Sequence, residues 1–195
     1  LFEIGQCFPT SVEDLTYYET KCAGLICGDR YEINWSNPRE KTDYFDLKGD
    51  VESMLNALVG EKNYQFRAKS FEFFHPGQSA QILINDKVVG VLGNLHPTIA
   101  NEFGFKQSVY LFDINLGKID SKLETQFKTL SKFPEVKRDL SFMLDQTINA
   151  SDLLDVVRSA SGKYLTDLKL FDVYQGKDVE NKGKSIALGL TFQHP

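Results

Sequence analysis

R-D-L-S-F-M-L, Arg138–Leu144, is the stretch on which the fold turns. Side chains on a β-strand point alternately to its two faces, so Leu140, Phe142 and Leu144 share one side while Asp139, Ser141 and Met143 share the other. S-I-A-L-G-L-T-F-Q-H, Ser185–His194, alternates the same way. Ile186, Leu188, Leu190 and Phe192 form its apolar side, opposite Ser185, Ala187, Gly189, Thr191 and Gln193. Between them, Ala150–Ala160 has helical spacing, with Leu153, Leu154, Val156 and Val157 on its apolar side and Gly162 at its end. Leu165–Tyr174 predicts a further strand, with Phe171 and Val173 turned in and Asp172 and Tyr174 out. Lys177–Lys184, with Gly176 before it and Gly183 within it, is a polar hairpin loop. The order β-α-β-β is the first part of the ferredoxin-like β-α-β-β-α-β unit, so a C-terminally truncated ferredoxin-like domain is expected. Its first strand would then lie at an open edge, prone to self-association.

Upstream, Leu1–Phe8 and Cys22–Gly28 predict strands, with Thr10–Lys21 as the connecting loop. Asp43–Leu58 predicts a helix, with Phe45, Val51, Met54, Leu55 and Leu58 on its apolar face and Gly60 at its stop. Strands are expected at Ser70–Phe74, Ala80–Ile84, Val88–Leu92 and Val109–Ile114, with a tight turn at Asn85-Asp86-Lys87. Leu116–Leu130 is polar and loses strand patterning. The fold class is therefore α+β in two domains, 1–127 and 128–195.

Composition narrows the function classes. At 42% hydrophobic and 25% charged, with 15 Phe and 8 Tyr, the chain has the make-up of a soluble globular protein with an aromatic core. No apolar run approaches the roughly 20 residues of a membrane helix. The chain opens within a strand pattern and carries no signal-peptide pattern, as expected of a fragment. Three cysteines without a C-x-x-C pair (Cys7, Cys22 and Cys27) suit neither a disulfide framework nor a zinc site, and fit the cytoplasm. From Ser131 onward nine basic side chains meet nine acidic ones, so the net charge of −5 falls on the preceding 130 residues. Neither part is a general polyanion binder, and any RNA must be held by a local surface.

The second domain offers such a surface. With the helix on the apolar side, the other sheet face is lined by small polar residues and one aromatic ring. Tyr174 presents a π-face for stacking, and Ser141, Asp172 and Ser185 present hydrogen-bonding groups to base edges, which is how single-stranded loops are read. Asp172 repels phosphate, so its role is to accept from a base edge. Lys132, Lys137, Arg138 and Lys184, near strand ends, are expected to hold the RNA backbone. The alternative is an assembly module whose open sheet face binds protein.

Several phrases then occur in a telling order: L-F-E-I-G (Leu1–Gly5), Y-F-D-L-K-G-D-V-E (Tyr44–Glu52), H-P-G-Q-S-A (His75–Ala80), G-V-L-G-N-L-H-P (Gly90–Pro97), the strand Tyr110–Ile114, F-P-E-V-K-R-D-L (Phe133–Leu140), L-F-D-V-Y-Q-G (Leu170–Gly176) and L-T-F-Q-H-P (Leu190–Pro195). Together they resemble the C-terminal portion of the bacterial phenylalanine–tRNA ligase beta-subunit family. The resemblance implies a degenerate class II synthetase-like antiparallel α/β module followed by a ferredoxin-fold anticodon-binding domain. It implies an alpha-subunit partner in an alpha2-beta2 heterotetramer, tRNA(Phe) as RNA, and ATP and Mg2+ as requirements of the holoenzyme. The family's anticodon contacts map onto Ser141, Asp172, Tyr174 and Ser185.

The same resemblance argues against catalysis in this chain. Active class II modules place a phosphate-binding arginine after a strand like I-G-x-x-F-R-x-E. Here that run is Ile4-Gly5-Gln6-Cys7-Phe8-Pro9-Thr10-Ser11, and proline neither donates nor carries charge. No Gly-rich phosphate loop follows Pro97, and no arginine occurs again before Arg138. His75, His96 and His194 each precede proline, which favours turn or strand-end positions. Asp43, Asp46 and Asp50 could share a helix face and a Mg2+ ion, but acids at a helix N-terminus have a simpler reason, the helix dipole. No catalytic residue, metal ligand or cofactor site is expected here. The helix Asp43–Leu58 and the cluster Phe71, Phe73 and Phe74 are candidates for core or for subunit contacts.

Overall fold

In the computed structural model the described residues are 1–8, 17–32, 34–37, 39–60, 63–120, 129–175 and 183–195. Pro9, the greater part of the loops expected at Thr10–Lys21 and Lys177–Lys184, and the division near residue 128 lie outside them. The chain forms two compact units, Leu1–Thr125 and Gln126–Pro195. Both are mixed α/β with antiparallel sheets.

The first unit is a six-stranded sheet in the order β1-β2-β6-β5-β4-β3. Its strands are β1 (Phe2–Cys7), β2 (Glu19–Cys27), β3 (Gln65–Ala68), β4 (Phe74–Ile84), β5 (Lys87–Leu95) and β6 (Val109–Asn115), with helices α1 (Tyr44–Val59) and α2 (Pro97–Glu102). The expected strand Ser70–Phe74 is not formed: β3 lies earlier, and β4 begins at Phe74. Phe71, Phe73 and Phe74 instead mark a turn, where Phe74 donates its backbone N–H to the Phe71 carbonyl. Only Phe74 of the three is fully buried. Asn85 and Asp86 take the tight turn, both at positive φ, the backbone hand that suits two-residue hairpins.

Helix α1 covers one face of this sheet with Leu47, Val51, Leu55 and Val59. These are spaced by four and meet Ala80, Ile82, Ile84, Leu92 and Ile114. Phe45, expected on that face, is exposed. It sits in the first turn, two residues ahead of the buried stripe, and packs edge-on against Tyr44 instead. Asp43 caps the helix: its carboxylate accepts from the backbone N–H groups of Phe45 at 2.7 Å and Asp46 at 2.9 Å, while Asp46 accepts from the Asp43 N–H. This reciprocal arrangement satisfies three N–H groups that no helical carbonyl can reach. Asp43→Ala is expected to cost about 1 kcal/mol, read as a lower urea midpoint with an unchanged slope.

The second unit is three-stranded, β7 (Val136–Asp145), β8 (Leu165–Tyr174) and β9 (Gly183–Phe192), with β9 central in the order β7-β9-β8. Helix α3 (Ala150–Ser161) lays Leu153 and Val157 on Ile186, Leu188 and Leu190. Val156, expected on the apolar side, is exposed, because the stripe that meets the sheet runs through 153 and 157. Phe133 and Tyr164 close around His194 at the end of the sheet, Tyr164 stacked and Phe133 edge-on. Among the described residues no helix is long and apolar enough to cross a membrane.

Candidate nucleic-acid interface

Pairing fixes which side chains share the face away from α3. Residues directly opposite in an antiparallel pair point the same way. Ser141 faces Ala187, Met143 faces Ser185, Asp139 faces Gly189 and Lys137 faces Thr191. On the other flank of β9, Asp172 faces Ala187, Tyr174 faces Ser185 and Lys169 faces Gly189. Ser141, Ser185, Asp172 and Tyr174 therefore gather around the methyl group of Ala187. The Ser141 and Ser185 hydroxyls lie 2.9 Å apart in a hydrogen bond in which either oxygen can donate. Tyr174 is half-exposed. The structure thus brings four of the six expected residues into one patch.

The two basic residues divide. Lys137 is on the same face but four residues from Ser141, roughly 13 Å along the strand. Its ammonium lies 3.8 Å from the Glu135 carboxylate. Arg138 pairs with Leu190 and so belongs to the helix side; its guanidinium donates to the Lys137 carbonyl at 2.9 Å. Lys184 is also on the helix side, opposite Leu144. Its ammonium donates to the carbonyls of Gln146 and Ile148 and so fastens the turn after β7. In that turn Asp145 accepts from the Thr147 hydroxyl and N–H, which holds its carboxyl below the usual range, with Lys184 adding a smaller effect.

One expectation is overturned. Phe171 does not turn in with Val173. The ladder slips between Leu170, opposite Leu188, and Asp172, opposite Ala187. Two residues of β8 thus span one step of β9, and the bulged residue changes sides. A Cβ built at Gly189 would lie 3.7 Å from Phe171 Cδ1 and 3.5 Å from Asp139 Oδ1, so the ring rests on the open face over bare β9 backbone. Phe171 is 54% exposed and takes no part in the apolar cluster under α3. Met143 and Lys169 join this face as well. A signal for the bulge existed: Leu168 and Leu170 keep an even phase, and Val173, opposite Ile186, needs an odd one.

In the first unit, Arg30 pairs with Asp46 and Glu40. Asp46 hydrogen-bonds the guanidinium and raises its pKa further. Arg39 and Lys41 both reach Asp29; the Lys41 hydrogen bond, with help from Arg39, holds that carboxyl below its usual value. His96 caps α2, its Nδ1 accepting from the Thr98 N–H.

Residues 1–116 match the model of the phenylalanyl tRNA synthetase beta chain CLM domain, and residues 131–195 match the ferredoxin-fold anticodon binding domain. The phenylalanine–tRNA ligase beta subunit of Pseudomonas syringae pv. tomato is 40% identical over 195 residues, which is 100% of this chain and 24% of the relative. That of Pseudomonas putida is 41% identical over the same shares. That of Vibrio parahaemolyticus is 40% identical over 201 residues, covering 99% of this chain and 25% of the relative. The chain spans about a quarter of the length of the curated relatives it matches, and it belongs to the family of phenylalanine–tRNA ligase beta subunits.

Proposed function

We propose that this chain supplies anticodon recognition and subunit scaffolding to an ATP-dependent phenylalanine–tRNA ligase, and that the chemistry takes place in a partner alpha subunit. In this reading the domains are 1–127, a non-catalytic class II synthetase-like module, and 128–195, which binds the anticodon of tRNA(Phe). The assembly is alpha2-beta2 and acts in the cytoplasm.

The observation that carries the reading is the patch around Ala187. A small residue at its centre lets a base approach the sheet, Tyr174 offers a ring, and Asp172, Ser141 and Ser185 offer polar atoms. Charge supports a local site rather than a general one: Asp139 and Asp172 on this face repel phosphate, so a nucleic acid must present its bases here. Among the described residues, Lys137 and Lys169 are the cations on this face that can meet its backbone. Arg138 and Lys184 lie on the other face, so a backbone role for them requires the strand to wrap around the β7 edge.

ATP and Mg2+ do not fit the first unit. Binding a triphosphate needs arginines free to form paired bonds with phosphate oxygens. Arg30 and Arg39 are instead held by carboxylates, which leaves this unit only Arg67, exposed and by itself on the edge strand β3. The acids at the start of α1 are likewise engaged, Asp43 and Asp46 in capping and Asp46 also with Arg30.

Titration of the anticodon stem-loop of tRNA(Phe) against the full-length ligase tests the RNA reading. Tyr174→Ala is expected to weaken binding about tenfold, within the roughly 1–3 kcal/mol that one stacked base contributes. Wild-type affinity in that variant would leave the protein-binding alternative in its place.

A further inference from the structure

We infer that Phe171 is a second stacking platform, so that this face takes two unstacked bases rather than one; the inference rests on the RNA reading above.

The β8 bulge moves Phe171 out of the sequence that alternation prescribes. A phenylalanine that served only the core would join Leu168 and Leu170 under α3, and it does not. Its ring lies instead against a position with no side chain, Gly189. The central strand thus leaves a shallow floor beneath the ring, and more than half of Phe171 faces solvent. Tyr174 is 48% exposed on the same face of the same strand.

Spacing decides how the rings work together. Three residues of strand separate them, roughly 10 Å at full rise. A base clamped between two rings needs them about 7–8 Å apart, two van der Waals spacings of about 3.5–4.0 Å, which is less than the strand spacing of these residues, so each ring takes its own base. Asp172 lies between them, and Asp139 stands beside Phe171. Both carboxylates accept hydrogen bonds only, which suits base amino or ring N–H groups and excludes phosphate. Lys169, opposite Gly189, is placed for the phosphate beside a base on Phe171. The ligand is a single-stranded RNA loop with at least two bases turned out.

The test uses the full-length ligase and tRNA(Phe) anticodon stem-loops carrying 2-aminopurine at one loop position at a time. Phe171→Ala is expected to weaken binding about tenfold and to release the quenching of one probe position. Tyr174→Ala should release a different position, and Phe171→Tyr should restore both affinity and quenching. Phe171→Leu keeps an apolar side chain over Gly189 without a ring; it should bind like Phe171→Ala and melt like the wild type. If Phe171→Ala and Phe171→Leu bind as the wild type while Tyr174→Ala is weakened, the second platform is wrong and the RNA reading survives. If all three bind as the wild type, the RNA reading itself has failed. Release of the same position by the Phe171 and Tyr174 variants overturns the two-base footprint. So does uniform loss at every position accompanied by a lower melting temperature, since that is the mark of a structural role.

Discussion

Leu188→Ala should destabilise the unit Gln126–Pro195 by about 2–5 kcal/mol. Leu188 has no exposed surface. It sits mid-strand in β9, flanked by Leu140 and Leu170 and roofed by α3. The unit has about 70 residues, and at roughly 0.05–0.15 kcal/mol per residue its whole stability is on the order of 4–10 kcal/mol. One truncation therefore removes a large share. The melting transition of this unit should fall by on the order of 10 °C or more, and anticodon binding should be lost with it at lower temperature. The transition of Leu1–Thr125 should not move. A loss below about 1 kcal/mol would mean that half-exposed Leu140 on the β7 edge swings in to fill the cavity.

Gly90→Val carries the second large effect, by the opposite mechanism. Gly90 lies between Ile82 and Ile114, both fully buried under α1. A Cβ there would come within 2.6 Å of the Asp113 carbonyl oxygen and 3.0 Å of the Ile114 Cα. These are backbone atoms of the paired strand β6, and they can yield only if the ladder shifts. Overpacking of this kind costs about 1–3 kcal/mol, and the upper end is expected because the nearest atom is backbone and the next, Ile114 Cγ1 at 2.7 Å, belongs to a fully buried side chain. The urea midpoint is the readout. Gly5→Val on the edge strand β1, where nothing lies within 4 Å of the added atom, is the control and should stay within about 0.5 kcal/mol. Equal losses in the two variants would show that strand glycine itself, and not the contact with Asp113, sets the cost.

Much of this was legible in the residues. Strict alternation located β7 and β9, and the faces assigned to Ser141 and Ser185 are those the ladder shows. Asp43 and Gly60 bound α1, and Val51 and Leu55 of its buried stripe are legible, but Leu47 and Val59 were missed, and Phe45 took their place because the first turn of a helix can project past the surface it covers. The short strand β3 escaped notice: Gln65–Ala68 has only one apolar residue, half-buried Phe66, apart from its terminal alanine. For Lys184 and Arg138 the sequence places strand ends and leaves the face open. Position near a strand end says nothing about face; register does. Phe171 shows the deepest limit. Alternation presumes one residue per step, and a bulge breaks that count without any glycine or proline to announce it. The phase conflict between Leu170 and Val173 was visible, but only pairing with β9 says which residue of Leu170–Asp172 changes side.

The Ser141–Ser185 pair carries a last consequence. Two hydroxyls joined by one hydrogen bond leave one proton and several lone pairs to spare, and because either oxygen can donate, the spare proton can be handed to either strand by a rotation of about 120° at each C–O bond. The carboxylate of Asp172, when ionised, has no such freedom: it accepts and never gives. The patch thus pairs an adjustable contact with an unyielding one across Ala187. On the RNA reading proposed above, discrimination between ligands of similar shape falls to the unyielding member, while the hydroxyls accommodate whatever it admits. An Asp172→Asn change would therefore do more than weaken a bond; it would convert the gatekeeper into a second chameleon.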